Sequence, residues 1–140
     1  MTETSTRLPL AGLSVLELGA RVGASAAGSL LAQMGADVVF VESAPLAGVQ
    51  AKWNWREQYA AGKQSLSVDA SAERALLERL AASDDVLLVS SDLDDIAYGA
   101  APLGAAARSA IVWDVTAFGS TGPRAGQPAG GAQGPALTGG

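Results

Sequence analysis

The chain has 140 residues, of which 49% are apolar and 16% charged, and its net charge at neutral pH is −5. This balance is typical of one globular domain with one core rather than of a disordered chain. The chain contains no cysteine and no histidine, which excludes disulfides, thiol nucleophiles, zinc–thiolate sites and histidine-based catalysis. No basic stripe interleaves with aromatic residues, and no apolar run reaches the length of a membrane span. We therefore expect neither nucleic acid nor a membrane as a partner.

The first 42 residues predict a flexible tail followed by a βαβ unit. Residues 1–9 are polar and do not form a secretory signal, so we expect a cytoplasmic protein. The run over residues 13–18 (LSVLEL) predicts a buried strand, and residues 24–34 predict a helix that ends at Gly35. Residues 37–42 (DVVFVE) predict a second strand, which makes the unit a right-handed crossover.

The same alternation continues after a long connection over residues 43–62. Ser71 is placed as the N-cap of the next helix, because its hydroxyl precedes a segment with leucines at helical spacing. We expect a strand over 65–68, a helix over 71–82, a strand over 86–89, short helical pieces over 93–108 broken at Gly99, Pro102 and Gly104, and a strand over 111–115.

This order predicts an α/β fold: a Rossmann-like, doubly wound, mainly parallel sheet with helices on both faces. The predicted domain spans residues 10–118, and residues 119–140 are rich in glycine and proline and predict a loop or linker. Ligands of such folds bind at the carboxyl ends of the strands. Arg21 and Lys63 lie close to strand ends, where each is a candidate phosphate contact.

Three other site patterns are incomplete. A dinucleotide-binding GxGxxG pattern that starts at Gly19 would need glycine where Arg21 stands, so a redox Rossmann domain is the weakest hypothesis. Ser25 lies in a sequence that resembles a nucleophile elbow, but without histidine nothing activates it, and we interpret it as a helix N-terminal cap. The acidic cluster formed by Asp84, Asp85, Asp92, Asp94 and Asp95 lacks calcium-loop spacing and predicts a solvated face rather than a metal site. Local capping explains Asp69.

Four segments together resemble the family III coenzyme A transferases. Residues 9–18 (PLAGLSVLEL) are close to the family's PLxGxxVLEL, and residues 30–39 (LLAQMGADVV) are close to its LLAxLGADV. Residues 62–69 (GKQSLSVD) match GKxSLxLD, and residues 117–123 (AFGSTGP) match SGFGxTGP. All four occur in family order and at family spacing, over roughly the first third of a family protein.

The resemblance implies an acyl-CoA transferase that moves coenzyme A (CoA) from an acyl-CoA donor to a carboxylic acid acceptor through an aspartyl intermediate. The attacking aspartate of the family lies downstream of residue 140, so the resemblance implies no catalytic residue here, no activity of these residues alone and no covalently bound cofactor. It also implies a homodimer, or association with the remaining C-terminal portion. By position, it implies CoA contacts at Val22, Gly23, Val68, Asp69, Ala70, Ser71, Ser90, Ser91, Ala117 and Phe118.

Several basic residues of the family pattern are replaced in this chain. Phe40 stands where the family has a lysine, and Ala61 and Asp92 stand where it has arginines. Because CoA carries several phosphate charges, such losses weaken nucleotide binding. They leave open the alternative of a divergent, non-catalytic subunit that binds CoA or a protein partner.

Overall fold

The computed structural model describes residues 7–18, 21–43, 55–69, 72–90, 100–125 and 127. Strands and helices alternate along them, as the sequence predicts. The strands are β1 (Ser14–Glu17), β2 (Asp37–Ser43), β3 (Gln64–Val68), β4 (Val86–Val89) and β5 (Ile111–Asp114). The helices are α1 (Val22–Gln33), α2 (Trp55–Ala60), α3 (Arg74–Ser83) and α4 (Ala100–Ala106).

The five strands form one sheet in the order β3-β2-β1-β4-β5, and every neighbouring pair is parallel. The first strand of the chain therefore lies at the centre, with β2 on one side and β4 on the other. The strand order reverses at the gap between β1 and β4, which is where ligands of open α/β sheets bind. The Rossmann-like fold predicted from the sequence is confirmed.

The sheet buries a separate apolar layer on each face, because alternate residues of a strand point to opposite sides. On one face, Leu16 packs with leucines and alanines of α3 and α4, among them Leu77 and Leu103. On the other face, Val15 packs with α1 through Ala27 and Leu31. Helix α2 packs against α1. Helices therefore cover both faces, as expected.

The structure corrects three expectations about the helices. A helix, α2, lies inside the segment that the sequence indicated as a long connection. Helix α4 continues through Pro102 and Gly104, where breaks were expected. Pro102 is the third residue of α4, and the first-turn N–H groups of a helix have no internal acceptor, so the missing N–H costs no helix bond there. The predicted break at Gly99 lies outside the described residues, as does Ser71. The start of α3 is a third correction, because Glu73 and not Ser71 occupies its N-cap position.

A reciprocal contact joins the amino ends of β1 and β4. The backbone N–H and the hydroxyl of Ser14 both donate to Asp85 Oδ2 at 2.9 Å, and the Asp85 N–H donates to Ser14 Oγ at 3.0 Å. These bonds hold the pKa of the Asp85 carboxyl below its usual range, and the bond from the Ser14 backbone N–H has the larger effect. Asp85 is exposed, in agreement with the predicted solvated face, but its carboxylate also fixes the register of the two central strands.

Gly35 ends α1 in the left-handed conformation that the sequence predicts for it, with φ of +100°. A side chain at this position would also collide with Leu8, because a Cβ would lie 2.5 Å from the Leu8 Cβ. We predict that Gly35→Ala lowers the free energy of unfolding by about 1–3 kcal/mol, since alanine meets both the backbone strain and the clash. Urea unfolding of the 140-residue chain measures this loss.

Gly104→Ala is the matched control, because Gly104 lies inside α4 and a Cβ there meets nothing within 4 Å. Alanine is a better helix former than glycine, so this variant should gain about 0.5–1 kcal/mol. Equal effects of the two substitutions would contradict the assignment of Gly35 as the helix terminator.

Candidate functional site

A fully buried carboxylate lies in the central strand of the sheet. Glu17, the last residue of β1, has none of its surface exposed. It lies two residues after Val15, so its side chain points to the face covered by α1. A charge in this position needs a partner, since burying an ion without one costs several kcal/mol.

The partners of Glu17 are Lys63 and Ser25. The Lys63 ammonium lies 2.6 Å from Glu17 Oε2, and the Ser25 hydroxyl donates to Glu17 Oε1 at 2.6 Å. The ammonium also donates to the backbone carbonyl of Ser25 at 2.8 Å. The side chains of Lys63 and Glu17 are 4% and 0% exposed. We call these three residues the buried triad; it connects β1, the first turn of α1 and the segment that leads into β3.

The reach of Lys63 follows from the register of β3. Lys63 directly precedes this strand, whose second residue, Ser65, pairs with Phe40 of β2. Phe40 in turn pairs with Glu17 of β1. Strand β3 therefore starts near the level at which β1 ends, and the lysine side chain crosses β2 above the Phe40 ring, with 5.9 Å between the ammonium and the ring centroid.

Gly28 of α1 leaves the room that the buried triad occupies. A Cβ at this position would overlap Glu17 Oε2 and would lie 3.1 Å from the Lys63 ammonium. Gly28 has helical backbone dihedrals, so conformational freedom is not the reason for a glycine here. The close approach of the helix to the ion pair is the reason.

Burial raises the pKa of the Glu17 carboxyl, while the charge of Lys63 and hydrogen bonds from Lys63 and Ser25 pull it down. The desolvation of the carboxylate is the larger effect. The contacts from Lys63 and Ser25 therefore compensate only part of the free-energy cost of burying the Glu17 charge.

A small pocket of about 60 Å³ opens beside the triad. This volume admits a few water molecules and is far below the several hundred Å³ of a ligand cavity. Its lining residues are Ser25, Phe40, Glu42, Tyr59, Ala60, Lys63, Gln64 and Ser65. Ser65 Oγ donates to Glu42 Oε1 at 2.7 Å, so the Glu42 carboxylate is hydrogen-bonded to another residue that lines the pocket.

Apart from Lys63, which precedes β3 at its amino end, the expected site residues that the structure describes lie along the carboxyl edge of the sheet. Arg21 occupies the N-cap position of α1, and Val22 and Gly23 begin that helix. The segment after β5 comes close to them, because a Cβ on Gly23 would lie 3.1 Å from Val115 Cγ1. Ala117 and Phe118 follow Val115 after one intervening residue and are half-buried.

The remaining predicted contacts are spread over two other strands. Ser90 follows β4 and is fully buried. Val68 ends β3 and is buried, while the next residue, Asp69, is exposed. Asp69 Oδ1 accepts a hydrogen bond from the Ala72 N–H at 3.3 Å, a local contact in the turn that precedes α3. Ala70, Ser71 and Ser91 lie outside the described residues.

The structure corrects the expected role of Ser25. It is the fourth residue of α1 rather than its cap, because the helix begins at Val22. The alanine-rich pattern hid the earlier start. Its hydroxyl donates to Glu17 instead of accepting a hydrogen bond from a backbone N–H at the start of the helix, and the residue is 4% exposed.

Sequence reasoning missed Glu17 and Gly28. The signal was present, since Glu17 interrupts an apolar run that was itself predicted to be a buried strand. A buried strand with one acidic residue requires a basic partner nearby. Nothing in the local sequence identifies Lys63 as that partner, because the pairing depends on the strand order.

The described ranges hold neither a metal-binding cluster nor a membrane-spanning helix. No cluster of three or more histidine, cysteine, aspartate or glutamate side chains is placed to hold a metal ion among the described residues. Within the same part of the chain, no helix has the length and apolar character needed to cross a bilayer.

The all-parallel sheet, with helices on both faces and a ligand edge at β1 and β4, defines the class of Rossmann-like α/β proteins. Within that class, the chain belongs to CoA-transferase family III, because the sequence model of this family matches residues 10–140. The resemblance identified from the four segments is thereby confirmed.

Solved structures agree with this assignment. A hypothetical protein from Mycobacterium tuberculosis (Rv3272) is 27% identical, with a TM-score of 0.65, and the match covers 86% of this chain. A CaiB/BaiF family protein from Brucella suis is 29% identical, with a TM-score of 0.66, over 89% of this chain. The chain spans 37% of the length of each of these proteins. A comparison with curated protein sequences finds no match.

The buried triad predicts a stability pattern that depends on both charges. Lys63→Met leaves Glu17 buried without its counter-ion and should cost about 3–5 kcal/mol at pH 7. The double variant Glu17→Leu with Lys63→Met removes both charges. Its free energy of unfolding should lie within about 1 kcal/mol of the wild-type value or above it. Urea unfolding of the three proteins measures both differences.

The loss of unfolding free energy caused by Lys63→Met should become smaller as the pH falls. Without Lys63, the pKa of Glu17 rises further above its ordinary value, because burial then acts without the opposing charge. A raised carboxyl pKa contributes stability at low pH, and this contribution is lost as the pH rises through the folded-state pKa. Unfolding at pH 7 and at pH 5 tests this, with the double variant as the pH-insensitive reference. A deficit that is unchanged between these pH values would contradict burial of the Glu17 charge.

Proposed function

We propose that these residues form the CoA-binding part of an acyl-CoA transferase, which moves CoA between an acyl-CoA donor and a carboxylic acid acceptor. Membership of CoA-transferase family III over residues 10–140 is the observation that carries this proposal. The chain spans little more than a third of its solved relatives. The attacking aspartate is therefore assigned to a further part of the protein.

The geometry of the carboxyl edge supports an extended ligand. The proposed contacts run from β3, at Val68 and Asp69, past β1 to the segment after β5, at Ala117 and Phe118. Neighbouring strands lie about 4.8 Å apart, so the four spacings from β3 to β5 cover about 19 Å. A compact metabolite does not reach both ends of this edge, whereas CoA, with a nucleotide and a long pantetheine arm, is extended enough to do so.

The proposed reaction uses a carboxylate as the nucleophile. The aspartate attacks the acyl carbonyl of the donor and expels CoA thiolate, which leaves a mixed anhydride. The thiolate then attacks the aspartyl carbonyl, releases the donor acid and forms an aspartyl-CoA thioester. The acceptor carboxylate attacks this thioester, expels the CoA thiolate again and forms a second mixed anhydride. The thiolate then attacks the acceptor carbonyl of that anhydride, which gives the new acyl-CoA and releases the aspartate carboxylate. This chemistry needs neither histidine nor cysteine, which agrees with the composition.

The alternative of a divergent, non-catalytic CoA-binding subunit has one specific observation in its favour. Phe40 replaces a lysine of the family pattern, and its side chain is 7% exposed beneath the Lys63 ammonium. The position therefore offers an internal cation–π contact and no charge to a ligand. The two hypotheses separate on the length of the natural reading frame and on the presence of a downstream aspartate. In both, residues 1–140 alone should not turn over succinyl-, acetyl- or oxalyl-CoA.

CoA affinity should depend on Arg21. This residue is half-buried at the N-cap position of α1, beside the turn where a phosphate is proposed to lie. A hydrogen bond to a charged group contributes about 1.5–3 kcal/mol, so Arg21→Ala should weaken CoA binding by about 10-fold to 150-fold in calorimetry. The exposed Arg79 of α3 provides the control, and Arg79→Ala should leave the affinity unchanged. Equal affinities of both variants would place the nucleotide elsewhere.

We also propose that the protein is cytoplasmic and forms a homodimer or associates with its remaining C-terminal portion. The exposure of β5 supports association. Ile111, Val112 and Trp113 are 69%, 44% and 53% exposed, and no other strand of the described residues pairs with the outer edge of β5. Exposed apolar edges of this kind are typical of interfaces.

The 140-residue chain should therefore self-associate, and Trp113→Lys should reduce the association, because a charged edge side chain opposes strand pairing and apolar contact. Light scattering at several concentrations measures the mass. Trp113→Phe is the control that keeps the apolar surface. A wild type that stays monomeric at all concentrations and binds no hydrophobic dye would overturn this expectation.

A further inference from the structure

Lys63 was expected to contact a phosphate of CoA, but its surroundings indicate a different role. Its side chain is 4% exposed, and its ammonium makes two short contacts, to Glu17 Oε2 and to the Ser25 carbonyl. Three donors are available on an ammonium group, and an internal carboxylate and a carbonyl take two of them. The adjacent pocket, at about 60 Å³, is far smaller than a ligand cavity.

The net charge of the pair also argues against direct ligand contact. Lys63 and Glu17 together carry no charge, so a polyanion near them experiences little attraction from the pair. Removing Glu17 would leave the positive charge of Lys63 uncompensated. Direct contact and indirect support by Lys63 therefore predict opposite consequences when Glu17 is neutralised.

The contacts of the buried triad converge on the first turn of α1. Ser25 is bonded through both its hydroxyl and its carbonyl, one to Glu17 and the other to Lys63. Its backbone N–H closes the first helical bond, to Arg21 O at 3.2 Å. Arg21, Val22 and Gly23, which are proposed CoA contacts, thus lie within one helical turn of a residue held on two sides.

We propose that Glu17 and Lys63 are positioning residues, which fix the first turn of α1 and so set the orientation of Arg21, Val22 and Gly23 toward the nucleotide, and that Lys63 does not touch CoA. Gly28 belongs to this arrangement because it is the position where the helix comes close enough to the ion pair for the contacts to form. This inference rests on the proposed CoA site for its functional part, and on the geometry of the triad alone for its structural part.

The first experiment measures CoA affinity by calorimetry for Glu17→Gln, Lys63→Met and the double variant Glu17→Leu with Lys63→Met. Positioning predicts that all three weaken binding by a similar factor, on the order of 10-fold, because each breaks the same support and the effects of coupled residues are not additive. Direct contact predicts that Lys63→Met weakens binding whereas Glu17→Gln leaves it equal or tighter, since the freed ammonium gains charge toward the polyanion. That second pattern would overturn the proposal.

Salt dependence gives an independent readout. Exposed charge–charge contacts are screened by added salt. Lys63→Met should therefore keep the wild-type dependence of CoA affinity on sodium chloride, whereas Arg21→Ala should flatten it. Gly35→Ala is the stability control, because it destabilises the opposite end of α1 and touches none of the triad; its CoA affinity should equal that of the wild type.

Hydrogen exchange of the Ser25 amide tests the positioning role without CoA. The Leu77 amide of α3 is the internal reference, because it makes a bond of the same length, 3.2 Å, to Glu73 O in the first turn of its own helix. Glu17→Gln, Lys63→Met and Gly28→Ala should each lower the protection of Ser25 by about 10-fold relative to Leu77. Unchanged relative protection in all three would refute the positioning role. If the wild-type chain binds no CoA but the Ser25 protection falls as expected, the proposed function fails for these residues while the positioning role stands.

Discussion

The ion pair between Glu17 and Lys63 is the constraint on which the arrangement of this protein depends. Glu17 lies at the end of the central strand, under a helix, with no exposed surface. Its burial is tolerated only because Lys63 approaches to 2.6 Å and Ser25 donates to the second oxygen. Two neighbouring segments and a third that lies at least 38 residues further along the chain must therefore arrive at one place together. Apolar packing alone accepts small shifts of a helix along a sheet, whereas hydrogen bonds at these distances do not.

The same pair accounts for features that are otherwise unrelated. The register that places Ser65 opposite Phe40 brings Lys63 within reach, and the glycine at position 28 lets α1 approach the carboxylate. Phe40 supplies an aromatic face under the ammonium, in a position where a second cation would repel the Lys63 charge. Substitution of a basic residue of the family pattern by an aromatic one is thus compatible with the fold, and its effect on a bound nucleotide is a separate matter.

The sequence predicts the architecture well because most strands and helices have a recognisable local sequence pattern. Short apolar runs such as residues 86–89 are long enough for a strand and too short for a buried helix, and Gly35 ends α1 as its position indicates. The failures have physical reasons. Helix α2 carries no strong apolar period, Pro102 is harmless within a first turn, and the start of α1 at Val22 was hidden behind a run of alanines. The partnership of Glu17 with Lys63 was out of reach, because it depends on a strand order that local patterns do not encode.

The position of β1 has a consequence for how the chain acquires its fold. The first strand of the described residues lies in the middle of the sheet, and its two edges meet their partner strands at different stages of folding. One edge meets β2, the next strand along the chain, after a single helical crossover. The other edge pairs with β4, and the reciprocal contact between Ser14 and Asp85 at this pair joins residues that are 71 positions apart in sequence. Such a closure is slow because its entropic cost precedes any gain from the contacts. Until then, the unpaired edge of β1 is open to pairing with other chains, which is the state in which misassembly competes with folding.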